Sequence, residues 1–222
     1  MRRLFHLPLS PSCRKVRLAL AEKRLTFELQ AEPVWEQRPE YLALNPAGTV
    51  PTLVEADGFV VPDSAVIGEY LDETYPEIRL LGLDPAERVE ARRLVVWFDG
   101  KFAREVTDNL AGQKYLRHIA GRGGPDTAAL RTGYANLKPH MDHLGWLAEH
   151  RNWLAGAHLT LADLTAAAHL SVLDFFGDID WAKYEPVRDW YARVKHRPGF
   201  RPLLEDRVPG MAPPAHYADL DF

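Results

Sequence analysis

Residues 44–71, LNPAGTVPTLVEADGFVVPDSAVIGEYL, decide how this chain folds. Residues 51–55 and 59–61 read as two short strands joined by Asp57-Gly58, a dipeptide suited to the positive φ angles of a tight hairpin. Asp63-Ser64 comes next, and residues 64–75 read as a helix that ends before Pro76. Working outward, residues 2–7 form a short strand. Residues 12–23 form a helix with Val16, Leu18, Ala19 and Leu20 on its apolar side, and residues 25–30 alternate as a strand. With a helical segment before Pro51, the order is β-α-β-(α)-β-β-α, an α/β unit over residues 1–78.

Past a linker at residues 79–83 the texture becomes all-helical, through residue 208. Residues 84–119 open with an Asp N-cap and a proline in the first helical position. Val89, Leu94, Trp97, Phe98, Phe102 and Val106 then recur at helical spacing. GRGGP breaks the chain, and residues 126–150 form a further helix, expected to bend at Pro139. Residues 159–176 are apolar almost throughout, which predicts a buried central helix. Its start combines a Thr160–Asp163 capping box with Leu159 and Leu164 placed as a hydrophobic staple. Residues 185–198 form a last helix stopped by proline. Residues 209–222 are expected to be an extended tail, because Pro209, Pro213 and Pro214 disfavour helix.

The chain has 222 residues and a formal net charge of -4, so nothing in its overall charge draws it to nucleic acid or an anionic membrane. No apolar run reaches the roughly 20 residues a membrane span needs, and the first fifteen residues are too broken for a signal peptide. Cys13 is the only cysteine, which excludes an intrachain disulfide and a cysteine metal cluster. No metal site is expected, and the chain reads as a cytoplasmic protein.

LSPSCRKVRLAL, LNPAGTVPTLV, PDSAVIGEYL and TLADL, in this order and over most of the chain, resemble the cytosolic glutathione transferases. The resemblance implies a thioredoxin-like N-terminal domain followed by an all-helical C-terminal domain, and a homodimer in which each first domain packs on the partner's helical one. It also implies a cis peptide at Val50-Pro51 presenting backbone to the cysteinyl part of glutathione. Asp63-Ser64 would meet the γ-glutamyl carboxylate at a helix N-terminus, and Ser10 would supply the hydroxyl that activates the thiol. Bland readings stand beside these. Asp63 and Ser64 suit a helix cap, Pro51 a structural turn, Ser10 a turn before Pro11, and Cys13 a small packing residue rather than an activated thiol. In many relatives a cation just before the cis proline holds the glycyl carboxylate of glutathione, and an arginine often follows the serine. Here Gly48 and Thr49 occupy the first places and Ala65 the last. Losing one charge-assisted contact costs roughly 1.5–3 kcal/mol. The expectation is therefore a vestigial glutathione site at Ser10, Val50, Pro51, Asp63 and Ser64, with no cofactor and no catalysis. The alternative is a glutathione transferase using Ser10 or Cys13.

The tail carries Tyr217, Asp219, Leu220, Asp221 and Phe222, apolar side chains interleaved with carboxylates. Apolar anchors flanked by charge suit partner recognition, whereas a fold-back over the helical domain is the competing reading. VVWFDGKFAREV, WLAGAHLTLADLTAAAHLSVLDFFGDIDW, WYARVKHRPGFRPLLEDRVPG and AHYADLDF resemble one branch of the transferase family, whose members associate with the tubulin-like division protein FtsZ. That likeness implies a dimer that binds FtsZ filaments at the division site through its last residues. Trp35, in a polar loop, is a second candidate contact, unless it packs on the neighbouring domain. Arg193, Lys195, His196, Arg197, Arg201 and Arg207 form either a solvated face or a basic patch.

Overall fold

The structure is a computed structural model and describes residues 1–221; Phe222 lies outside the described residues. Four strands form one mixed sheet in the order β2-β1-β3-β4. β1 (Arg3–His6) pairs in parallel with β2 (Glu28–Ala31), Leu4 opposite Leu29. On its other side β1 pairs antiparallel with β3 (Thr52–Val54), which turns back into β4 (Val60–Pro62). The first three strands are each two residues shorter than the sequence pattern suggests, and β4 keeps its length but starts one residue later. The flanking positions, such as Glu55 and Phe59, still pair through backbone but belong to the turn. The Val50–Pro51 peptide is cis, as the resemblance implies.

α1 (Pro11–Glu22) starts where Ser10 caps it and Pro11 takes the first helical position. Cys13 through Leu20 are all buried, because α1 lies between α3 (Ser64–Thr74) and the central helix of the second domain. Three of those buried residues are cations. Water cannot solvate them there, so each has to meet fixed partners. The five N–H donors of Arg14 go to Pro8 O, Ser171 Oγ, Tyr217 OH, Leu203 O and Asp206 Oδ2 at 2.8–3.2 Å. Arg17 takes both oxygens of Asp206 at 2.9 and 2.8 Å, and Lys15 meets Asp99 at 2.5 Å. The anions lie in the second domain, so these pairs fasten one domain to the other.

A short helix, α2 (Pro39–Leu44), precedes β3. In the helical domain α4 (Pro85–Val96) begins with Asp84 accepting from Ala86 and Glu87. The continuous α-helix expected over residues 84–119 is not what forms. From Trp97 to Thr107 the chain winds with i→i+5 bonds as a π-helix, and a second such stretch, Gly112–Leu116, runs into the single turn α5 (Arg117–Ile119). Val89, read as part of the apolar stripe, faces solvent. α6 (Thr127–His150) continues through Pro139. α7 (Leu161–Phe175) is buried along its whole length, with the reciprocal Thr160–Asp163 capping box in place. α8 (Glu185–Lys195) and α9 (Arg201–Leu204) complete the helices.

His6, at the end of β1, is buried on the same seam. Burial, with Arg17 and Arg14 nearby, pushes its pKa down to about 4, against the opposing pull of Asp206. A depressed base favours the fold above the unfolded value of 6.5 and loses that contribution as pH falls toward 4. Between pH 6.5 and 5, denaturant melts should show stability falling by as much as about 1.4 kcal/mol per pH unit from this group. His6→Asn should lose that component of the slope; an unchanged slope would remove His6 from the account.

Candidate functional site

Two regions hold the residues singled out in the sequence: a cleft between the domains and the C-terminal segment. The cleft, about 260 Å³, has one wall from the first domain, with Leu7, Leu9, Ser10, Val34, Thr49 and Val50. The other wall comes from the wound segment and α7, through Asp99, Ala103, Thr107, Asp108 and His169. Residues four apart share a face of an α-helix, and wider winding with i→i+5 bonds brings positions five apart onto that face as well. The segment therefore presents 99, 103 and 107 along the cleft, and its π-winding brings 108 onto the same face.

Ser10 lines this space, and its Oγ accepts the Cys13 N–H at 3.4 Å as the cap of α1. Cys13 itself is fully buried, with the Leu7 N–H on its sulfur at 3.4 Å. Burial pushes its thiol up to about 11, against the hydrogen bonds from Ser10 and Leu7 and the charge on Arg17. It is a packing residue, and the thiolate needed for nucleophilic chemistry is suppressed. Val50 lines the cleft with Gly48 and Thr49, and Pro51 is buried behind it. The Thr49 carbonyl is already engaged by Asn45 Nδ2 at 2.8 Å and by the Tyr41 hydroxyl.

Asp63 and Ser64 do not line the cleft. The Asp63 N–H donates to Pro51 O at 3.2 Å, which ties the start of α3 to β3. Asp63 holds a φ of 71°, and its carboxylate accepts from Ala65 and Val66 at 2.7 and 3.4 Å. An external carboxylate arriving at this helix start would find two donors occupied and a like charge in place. Among the described residues no lysine or arginine lines the cleft, and the carboxyls on its wall are Asp99 and Asp108. Glutathione carries a carboxylate at each end, and the described lining of the cleft offers neither of them a lysine or arginine.

The tail is not simply extended. Ala215–Ala218 form a 3₁₀ turn, and Tyr217 is buried to 0% exposure, packed edge-on against Phe175. Its hydroxyl donates to Leu203 O and accepts from Arg14. Tyr217 therefore anchors the segment from inside and presents no side chain to a partner, which corrects its assignment as a contact residue. His216 bonds Asp174 at 3.0 Å, and Lys195 Nζ holds the Asp219 carbonyl at 2.5 Å. Asp219 and Asp221 stay exposed and Leu220 is half-buried. Phe222, the remaining contact candidate, lies outside the described residues.

Trp35 is half-buried against the core rather than standing free. The basic stretch is not one patch either. Lys195 points inward and Arg197 forks onto Glu22 of α1 at 2.5–2.6 Å, while Asp221 sits 3.2 Å from His196. Sequence reasoning missed Lys15, Asp99, Thr107, Asp108 and His169. The available signal was a His and an Asp inside helices otherwise apolar on the facing side. Among the described residues no group of three or more His, Cys, Asp or Glu is placed to hold a metal ion, and no helix is long and apolar enough to cross a membrane.

A thioredoxin-like sheet with its cis proline, joined along α1 to a helical domain, matches the fold of glutathione transferase structures. The chain belongs to the glutathione transferases. The family model described as glutathione S-transferase, N-terminal domain, matches residues 4–79. Over 224 aligned residues the chain is 49% identical to FtsZ-localized protein A of Caulobacter vibrioides, covering all of this chain and 98% of that protein. A solved structure of FzlA from C. crescentus superposes with a TM-score of 0.96 at 49% identity, over 100% of this chain and 99% of that one. A glutathione S-transferase from Rhodospirillum rubrum F11 does so at 0.98 and 52% identity, with both chains fully covered.

The burial of Cys13 makes its reactivity a direct check on the packing of α1. Native protein treated with a thiol-specific disulfide reagent near pH 8 should label at no more than a few per cent of the rate seen in denaturant. Rapid stoichiometric labelling of folded protein would show an accessible thiolate instead.

Proposed function

We propose that this chain is a non-catalytic protein of transferase fold that binds FtsZ filaments. The observation that carries this reading is the end-to-end likeness to FtsZ-localized protein A, which includes the C-terminal segment. The anchored tail supports it. Tyr217 and His216 are locked to Arg14 and Asp174, so the carboxylates of Asp219 and Asp221 emerge from a fixed base. Such pre-ordering lowers the entropic cost of docking. Function at the division site follows from this association.

A homodimer completes the reading. Val66 on α3 and Val89 and Val96 on α4 are 53%, 66% and 70% exposed, apolar surface of the kind a partner copy covers. Two tails on one particle engage two filament sites, and the second attachment becomes effectively intramolecular. In this reading the cleft performs no glutathione chemistry, because its walls lack a cation for the carboxylates and Cys13 is sealed away.

Co-sedimentation with FtsZ polymer tests the tail. Removing residues 219–222 should reduce pelleting at least ten-fold while the melting temperature stays within a few degrees; equal pelleting of both forms would eliminate the segment. The cut belongs after Ala218, since one after Pro214 would also extract Tyr217 from the core.

A variant made monomeric by Val89→Glu with Val96→Glu, verified by sedimentation velocity, should still touch filaments but lose bundling by light scattering. Undiminished bundling by a proven monomer contradicts the avidity account. Calorimetry with glutathione should show no saturable heat below millimolar concentration, and micromolar binding would restore the transferase reading with Ser10.

A further inference from the structure

On the surface of the helical domain a groove of about 340 Å³ runs between α6 and the start of α8. Its floor is Met141, Gly145 and Val187, and its walls are Trp146 from α6 with Tyr184 and Pro186 at the entry to α8. It shares no residue with the interdomain cleft or with the exposed valines of α3 and α4. The groove meets α8 at its first turn, whereas the tail meets that helix at its end, through Lys195 and His196.

Two features mark the groove as kept open. Gly145 sits inside a helix, where glycine is less stable than alanine. At Gly133 in the same helix packing explains the choice, since a Cβ would stand 2.7 Å from Leu110. A Cβ at Gly145 would meet only Val187 Cγ2, at 3.8 Å, an ordinary contact. The fold does not require glycine there, and its effect is to leave the floor clear. Trp146 is 51% exposed, yet its ring is braced. His150 stacks on it at 4.6 Å and donates from Nδ1 to the Trp146 carbonyl at 2.8 Å. A large aromatic held in place at the surface is a preformed anchor for a partner.

The polar atoms select the occupant. Among the described residues the Trp146 indole N–H and the Tyr184 hydroxyl have no partner. Both can donate, so the occupant brings acceptors on an apolar body. An extended proline-rich chain has that character: its backbone carbonyls are unpaired, its rings are apolar and most of its N–H groups are missing. Of the charged groups on the walls, Asp142 is taken by Lys138 at 2.6 Å and Lys183 by Asp180 at 2.9 Å. Glu149, one turn beyond Trp146, has no ionic partner among the described residues and calls for a cation on the occupant.

We propose that this groove docks a proline-rich segment of another protein, extended as a polyproline helix and carrying a lysine or arginine. Prolines seat between Trp146 and Tyr184 over Gly145, their carbonyls accept from the indole and the phenol, and the cation reaches Glu149. The site acts independently of filament binding through the tail.

A capped peptide of three Pro-Pro-Arg repeats is the probe, because three residues per turn align its arginines along one edge. Three Pro-Pro-Glu repeats keep the helix and reverse the charge, and three Gly-Ser-Arg repeats keep the charge and lose the helix. Calorimetry on the intact chain should show saturable binding of the first, about ten-fold tighter than either control. The Trp146 indole N–H proton, identified by its loss in Trp146→Phe, should move downfield as it gains an acceptor. Gly145→Ala should raise the melting temperature by about 2–4 °C. The same change should weaken the peptide about ten-fold by filling the floor, so lost binding there is separated from lost folding. Removing residues 219–222 should leave the peptide's affinity unchanged. Absent binding, a control that binds as tightly as the probe, or an unmoved Trp146 signal would each overturn the proposal. So would a Gly145→Ala protein that is destabilised or binds as before, or peptide binding that disappears with the tail.

Discussion

Burial of three cations along one helix organises this protein. Arg14, Lys15 and Arg17 leave water as α1 is enclosed, and each is matched by a carboxylate from the second domain. Removing one partner of such a pair typically costs 3–5 kcal/mol, because the survivor stays buried and unpaired. The two domains are thus obliged to meet in one register, Asp206 against Arg14 and Arg17, Asp99 against Lys15. Hydrophobic contact between α1 and α7 supplies area; the charges supply the alignment. The pairs are valuable for the specificity of docking more than for net stability.

That alignment reaches both candidate sites. The guanidinium of Arg14 ends on the Tyr217 hydroxyl, so the seam between domains also holds the base of the C-terminal segment. A terminus that would otherwise fray is converted into a surface feature with a defined point of departure. On the other side, Lys15 holds one oxygen of Asp99 and turns the second toward His169. A single helix of the thioredoxin-like domain therefore positions the tail and furnishes the cleft.

The cleft keeps the backbone features that the family resemblance implies, while the charged groups on its described walls are carboxylates. The cis peptide, the Ser10 cap and the Asp63 cap are present as backbone architecture. The charges on the walls are carboxylates, and the one thiol is sealed in the core with its pKa raised. Backbone features persist because the fold itself uses them: Asp63 braces β3 through Pro51, and Ser10 starts α1. Side chains with no structural duty carry no such constraint.

Local rules made much of this legible. The Asp57-Gly58 turn, the Thr160–Asp163 capping box and the all-apolar run of α7 depend on neighbours within a few residues, so they could be read directly. Ser10, Val50 and the caps at Asp63 and Asp84 could be found for the same reason. The sequence by itself determined the order of elements, the two-domain division and the absence of a cation before Pro51. Only the tertiary structure decided which polar residues go inside. Lys15, Arg14 and Arg17 look like an exposed helical face until α7 and Asp206 close over them. Tyr217 looks like a free anchor until Arg14 and Phe175 claim it. The pairing of Asp99 with His169 needs helix turns seventy residues apart, and a π-winding that no 3.6-residue periodicity reveals. The environment of a charged side chain is set by distant segments, and a pattern of neighbours holds no information about them.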